Sequence, residues 1–301
     1  MNRLILQFTA HLHVRQYSES SIQNHRLDLL RFKDWLDERK LSDPEKIKSI
    51  SGEEILAYQK HLAKRLKPRS INRHLSSLRL FFRYLEEDGM VGLNPMDNVV
   101  FPKPLPNLPT MLLPGEVSAL MEAPEETHYL GLRDKALLEL LYSTGIKLNE
   151  LIALNVEDLQ LDLGYVKVRG RRSRMVPLTD TASSLLRRFL EESRPKRVLH
   201  SQETCLFPGR NGTRISRVGV WKLIKKYALQ AGIRKNFNPR ALRHAFAIHL
   251  ILGGMDLDGI KFLFGYKKLE AAALYAHVNT PDFQDAYRAF HPHAAKQSAS
   301  G

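Results

Sequence analysis

Six prolines (Pro95, Pro102, Pro104, Pro106, Pro109 and Pro114) crowd one short stretch of this 301-residue chain, and no helix survives that density. Each removes a backbone donor and pushes the residue before it toward extended backbone. A chain of this length holds one large domain or two modest ones, and the proline run decides for two. Residues 91–112 are the linker, residues 1–90 the first domain and residues 113–293 the second. Residues 294–301 read as a loose tail.

The first domain is helical throughout. Ile71, Leu75, Leu78, Phe82 and Leu85 recur at spacings of four and three, the apolar stripe of an amphipathic helix. Leu29, Phe32 and Leu36 mark another helix, and Ile55, Tyr58 and Leu62 a third. Ser51 and Glu54 form a capping-box pattern. Pro68 suits the first turn of the last helix and Gly89 its end. The pattern predicts a four-helix domain.

That last helix also carries Arg69, Arg73, Arg79 and Arg83, with Asn72, Ser76 and Ser77 among them. Arginines and small polar groups on one helix suit phosphate contacts, which hold a protein on a duplex without reading sequence. A solvated polar face accounts for the same residues taken alone.

The charge balance narrows the partner. Lys and Arg number 46 against 32 Asp and Glu, a net +14, with a pI near 9.8. Such a surplus favours a polyanion, and double-stranded DNA fits it. One cysteine, Cys205, excludes an internal disulfide and a cysteine-cage zinc site. The opening residues lack an apolar core of signal-peptide length and no run approaches about 18 apolar residues, so a cytoplasmic protein without a membrane partner is expected.

The second domain reads as helices around a small sheet. Helices fit residues 115–123 and 131–143, with another beginning near Lys147. Gly164–Arg169 and Arg174–Leu178 alternate like strands around a basic turn. Residues 180–193 and 216–231 are helical, with Cys205–Phe207 a short strand between them. Asn238 caps a helix with Pro239 in its first turn, closed by Gly253. The fold class is therefore mainly α with a small β-sheet.

Arg243 on that helix and Tyr275 about thirty residues on, in Leu274-Tyr-Ala-His-Val278, offer a fixed cation and a phenolic nucleophile to one phosphate. His244, His249 and His277 match no standard zinc spacing and read as packing histidines, so no metal site is assigned.

These segments resemble the tyrosine recombinases, or phage integrase family, in its Xer-like branch. The run Leu140-Leu-Tyr-Ser-Thr-Gly-Ile-Lys-Leu-Asn-Glu-Leu151 is similar to the family's first box, Met175-Val-Pro-Leu178 to its hairpin exit, and Leu242-Arg-His-Ala-Phe-Ala247 with Gly253-Gly254 to its second. The resemblance covers nearly the whole chain. It implies a helical core-binding domain and an α+β catalytic domain that cuts and rejoins DNA through a 3′-phosphotyrosine, without cofactor. It also implies a homo- or hetero-tetramer on DNA, in which the C-terminal helix docks on a neighbour.

Carried over by position, Tyr275 falls on the nucleophile and Arg243 on the second arginine. Lys147 stands where the first arginine belongs; it keeps the charge but loses the two-pronged grip. Arg171, Arg172 or Arg174 fills the hairpin turn where the family has a lysine acid, and Arg171 is taken for that place, with Arg172 and Arg174 on DNA. Arginine is a poor proton donor near neutrality. Arg240 replaces the histidine three residues before Arg243, and Tyr266 replaces a histidine or tryptophan. Two readings follow. One is an active site-specific recombinase or integrase. The other is a catalytically impaired DNA-binding clamp, or a partner subunit of an active recombinase.

Phosphate contact predicts a steep loss of DNA affinity with salt. Each neutralised phosphate adds a slope of about −0.9 to log affinity against log salt. A fluorescence-anisotropy titration at several salt concentrations measures it, and a flat response argues against phosphate-led binding.

Overall fold

The computed structural model describes residues 1–103, 112–170, 172–198, 203–235, 237–273 and 275. The chain divides into two compact units, Met1–Asn107 and Leu108–Gly301. Arg171, most of the C-terminal segment and the 294–301 tail lie outside the described residues.

The first unit contains helices α1 (Asn2–Val14), α2 (Glu19–Asp37), α3 (Pro44–Lys48), α4 (Gly52–Ala63) and α5 (Pro68–Glu87). Five helices stand among the described residues where four were expected, and no apolar stripe signalled α1 or the short α3, which an Asp43 cap and Pro44 open and one buried residue, Ile47, anchors. Ser51 and Glu54 close their capping box at α4. Every residue of the α5 apolar stripe is buried. Phe8 meets Phe81 edge-on at 5.4 Å and Phe32 meets Tyr58 at 4.9 Å, the offset geometry that ring quadrupoles favour.

Polar groups inside this core redirect part of the basic face. Asp28 is 1% exposed and accepts hydrogen bonds from Arg73 at 2.6 Å and from Ser77 at 2.9 Å. Arg79 donates to the carbonyls of Met96 and Val99 and covers the Phe101 ring at 4.2 Å. Asn72 donates to the Pro102 carbonyl. Of the α5 residues expected on DNA, Arg73, Arg79 and Asn72 are therefore committed within the unit. Arg69 and Arg83 are exposed, with no hydrogen bond or ion pair among the described residues. The proline-rich stretch also begins as structure rather than spacer: Val91, Met96 and Val99 are buried in this core.

The second unit contains α6 (Pro114–Glu122), α7 (Tyr129–Thr144), α8 (Leu148–Ala153), α9 (Asp180–Arg188), α10 (Arg217–Gln230), α11 (Pro239–Leu252) and α12 (Leu257–Phe264). Its antiparallel sheet runs β1 (Leu159–Gln160), β2 (Tyr165–Val168), β3 (Arg174–Pro177) in that order. Val166 pairs with Val176 and Val168 with Arg174, and the three valines face the core. Cys205 makes an isolated bridge to Asn155 instead of the expected strand, and it is buried. The helix expected to Ser193 ends its α-helical part at Arg188 and continues as a π-turn. No helix among the described residues is long and apolar enough to cross a membrane.

Truncating Asp28 to alanine removes the buried carboxylate that accepts from Arg73 and Ser77, while Ser77 keeps the Arg73 carbonyl and His25 as partners. A loss of about 2 kcal/mol is expected from the charged hydrogen bond lost, read by urea denaturation. A loss under a few tenths of a kcal/mol contradicts this account.

Candidate active site

The C-terminal end of α12 organises the site. Its last turn and cap present three consecutive carbonyls, each taken by a different arginine. Arg174 Nε donates to Leu263 at 2.7 Å, Arg243 Nη2 to Phe264 at 3.1 Å and Arg172 Nη1 to Gly265 at 2.7 Å. Helix ends leave such carbonyls without partners, and cations suit the negative end of the helix dipole. Gly265 turns the chain at φ 62°. A Cβ there would lie 3.3 Å from the Arg174 guanidinium, so glycine makes room for the cation as well as the turn.

Arg243 is 6% exposed. It also donates to the carbonyl of Gly145, the left-handed cap of α7, and its guanidinium lies 3.7 Å over the Phe264 ring. One arginine thus closes two helix ends. A side chain on Gly145 would meet the Phe246 and Phe264 rings. Burial lowers the pKa of Arg243, against the opposing influence of Tyr266 and Glu150.

Arg174 was expected on DNA, but only 7% of its side chain is exposed, and both prongs grip Glu150, at 3.1 and 3.0 Å. Glu150 also accepts from the Lys147 N–H at 2.8 Å, and the Lys147 ammonium stands 3.4 Å away. Burial by itself raises the Glu150 carboxyl, yet hydrogen bonds from Arg174 and Lys147 hold it below the ordinary glutamate value. Lys147 itself, the N-cap of α8, is half-exposed.

A cleft of about 800 Å³ opens above these groups, lined by Lys147, Arg217, Trp221, Arg240, Arg243, His244 and Tyr266 among others. Four cations line it and no carboxylate does, among the described residues. The first turns of α10 and α11 border it, so two positive helix ends add to the side-chain charge. Asn238 caps α11 by accepting from the Arg240 N–H. The Arg240 side chain is exposed.

Tyr275 lies behind this wall, 1% exposed. Its hydroxyl is 2.6 Å from His244 Nδ1, and its ring meets Phe264 edge-on. Burial raises its pKa, with Tyr266 adding to the shift and Arg243 opposing it. Burial, then the charges of Arg240 and Arg243, push His244 down to about 4, so the imidazole is neutral at pH 7.

The fold therefore brings Lys147, Arg240, Arg243, Tyr266 and Tyr275 into one region, with Arg172 at its edge through Gly265. Arg171 lies outside the described residues. Sequence reasoning treated His244 as packing and passed over Glu150, Arg217 and Trp221. The one available signal was that His244 immediately follows Arg243.

The sequence pattern of the Phage integrase family matches residues 110–281, and that of the phage integrase N-terminal SAM-like domain matches residues 5–89. The chain is 36% identical over 299 residues to the tyrosine recombinase XerD of Listeria monocytogenes, spanning 98% of this chain and 100% of that protein. It is 34% identical over 297 residues to the tyrosine recombinase XerD of Staphylococcus epidermidis, with the same coverage. The XerH site-specific recombinase bound to palindromic difH substrate shares the fold, with a TM-score of 0.74 at 21% identity over 90% of this chain and 80% of that one. The Tn1549 transposon integrase in complex with circular intermediate DNA does so at 0.72 and 18%, over 94% and 98%.

Breaking the Glu150–Arg174 pair leaves an uncompensated buried charge, so Glu150→Ala is expected to cost about 3 kcal/mol. Because the folded carboxyl titrates below the ordinary glutamate value, its contribution is present at neutral pH and is lost as pH falls through that folded value. Urea denaturation at pH 7 and in the acid range, on wild type and Glu150→Gln, checks both points. The variant should lose part of the acid-side slope.

Proposed function

We propose, on the premise that this chain belongs to the phage integrase family, that it is a site-specific DNA recombinase whose strand cleavage runs through a phosphotyrosine on Tyr275. The observation that carries the reading is a cleft lined by four cations and, among the described residues, no carboxylate, with the Tyr275 hydroxyl 2.6 Å from His244 Nδ1 on its wall. Double-stranded DNA is the substrate, held across an assembly of four subunits that includes copies of this chain or a sister recombinase.

In this reading Arg243 and Arg240, one turn apart on α11, hold the non-bridging oxygens and balance the charge that grows in the transition state. Lys147 adds a third cation, without the planar fork of an arginine. Tyr266 donates a hydrogen bond to phosphate. The hairpin turn supplies arginine where the family has lysine, through Arg171 or through Arg172, whose guanidinium already reaches Gly265. Outside the cleft, Arg69 and Arg83 are the α5 residues with free guanidiniums for phosphate, and Arg73 keeps a half-exposed side chain beside Asp28.

A second reading, a partner subunit that binds DNA without cutting it, draws on a different observation. The Tyr275 hydroxyl is buried against His244 rather than open to the cleft, and the ammonium of Lys147 leans toward Glu150.

A nicked duplex carrying the recombination target separates the two, because cleavage beside the nick traps the covalent adduct. Tyr275→Phe is expected to abolish the adduct while DNA affinity stays within twofold, since only one hydroxyl is lost. Lys147→Arg returns a two-pronged donor and should raise adduct formation, given that losing one such donor costs about 10²–10³ in rate. A wild-type protein that binds the site yet yields no adduct, alone or with Lys147→Arg, decides for the partner subunit.

A further inference from the structure

The family position that commonly carries a histidine is Arg240 here, and an arginine cannot take up a proton. The tyrosine nevertheless has an imidazole on it, from a position that no role was assigned to. His244 Nδ1 lies 2.6 Å from Tyr275 Oη, and the two rings sit 5.7 Å apart at 53°. His244 also lines the cleft, so the residue that meets the nucleophile also borders the cationic cleft. We propose that His244 is the catalytic base that accepts the Tyr275 proton during strand cleavage. The assignment rests on Tyr275 being the nucleophile.

In the step, the Tyr275 Oη–P bond forms as the bond from phosphorus to the 5′ oxygen breaks. The Oη proton passes to His244 Nδ1, and the departing 5′ oxygen takes a proton from water in the open cleft, which leaves as hydroxide to the solvent. In rejoining, the imidazolium returns its proton to Oη as the phosphotyrosine bond breaks, and the attacking 5′ hydroxyl gives its proton to hydroxide, restoring water. No other reactant is needed.

The surroundings make this base responsive to substrate. After burial, what holds the imidazole neutral is the charge of Arg240 and Arg243 on its own helix. A bound phosphate offsets those two charges, which raises the basicity of His244 when the reacting group arrives. Other ionisable groups nearby are fixed in role. Tyr266 faces Tyr275 and Arg243, and Lys147 and Arg217 lie across the cleft. Glu150 is held by Arg174. On α7, which packs against α11, Tyr142 bonds His249 further along the helix.

Two measurements test the assignment. The first is the imidazole ¹⁵N spectrum of the full chain without DNA, with His244 identified by its loss in His244→Asn. The expected result is a neutral ring protonated on Nε2, with Nδ1 accepting from the phenol and its resonance shifting in Tyr275→Phe. A ring protonated on Nδ1, donating to the phenol oxygen, overturns the proposal.

The second is the rate of adduct formation on nicked target DNA between pH 6 and 9. His244→Asn keeps a hydrogen-bonding group near the Nδ1 position but cannot take the proton; His244→Ala removes both functions. Both variants are expected to form adduct about 10²-fold or more slowly, and the rate of His244→Asn should climb with pH where wild type stays flat. Cleavage by His244→Asn at the wild-type rate and pH profile overturns the proposal, since a merely structural hydrogen bond predicts that outcome. If wild type gives no adduct, or Tyr275→Phe still gives one, it is the nucleophile reading that has failed, and the nitrogen spectrum alone decides whether Nδ1 is an acceptor.

Discussion

Three guanidiniums on three successive carbonyls hold the end of α12, and the catalytic unit is arranged around that contact. Arg174 reaches in from the sheet, Arg172 from the hairpin turn and Arg243 from α11. Each donates to a helix-end carbonyl that the helix itself leaves unpaired, in a buried contact at Phe264 and an exposed one at Gly265. Together they fix the start of the segment that carries Tyr266 and Tyr275. The same contacts tie the sheet to α11, so the cleft keeps its shape through bonds to backbone rather than through flexible side-chain pairs alone.

Burying cations in this way is costly unless each has partners, and the structure supplies them unequally. Arg174 has a bidentate carboxylate. Arg243 has two helix ends and an aromatic face, with no carboxylate in its grip. Donors of Arg243 therefore remain for an incoming anion, while the charge of Arg174 is already met by Glu150. Among the described residues the charged side chains that line the cleft are all cationic, a surplus that suits an anion such as a phosphodiester. Lys147 and Arg240 are both cationic, so the site keeps a high positive charge. The imidazole that meets the Tyr275 hydroxyl comes from α11, one residue past Arg243.

Local rules made much of the fold legible. The α5 stripe, the Ser51–Glu54 box, the Asn238–Pro239 start of α11 and the alternation around the basic hairpin all act over a few residues, where periodicity and capping hold without tertiary help. Features with short or unpatterned signals were missed. The two-residue β1 has no alternation to detect, α3 has one buried residue, and the first half of the proline stretch looked like spacer because extended backbone gives no periodicity. Only its contacts with Arg79 and Asn72 show that it packs.

The sequence by itself determined the two-unit division, the mainly helical class and the basic charge. These follow from composition, from periodicity and from motifs that keep their spacing along the chain. Tertiary structure decided which arginines are free and which are bound: Arg73, Arg79 and Arg174 read as phosphate contacts until their partners at Asp28, Met96 and Glu150 came into view. It likewise decided that His244, on α11, meets the Tyr275 hydroxyl. The physical reason is the same in each case. A guanidinium or imidazole has one chemistry in sequence, but whether it serves water, a ligand or the protein depends on which group lies within 3 Å, and chain neighbours do not set that distance.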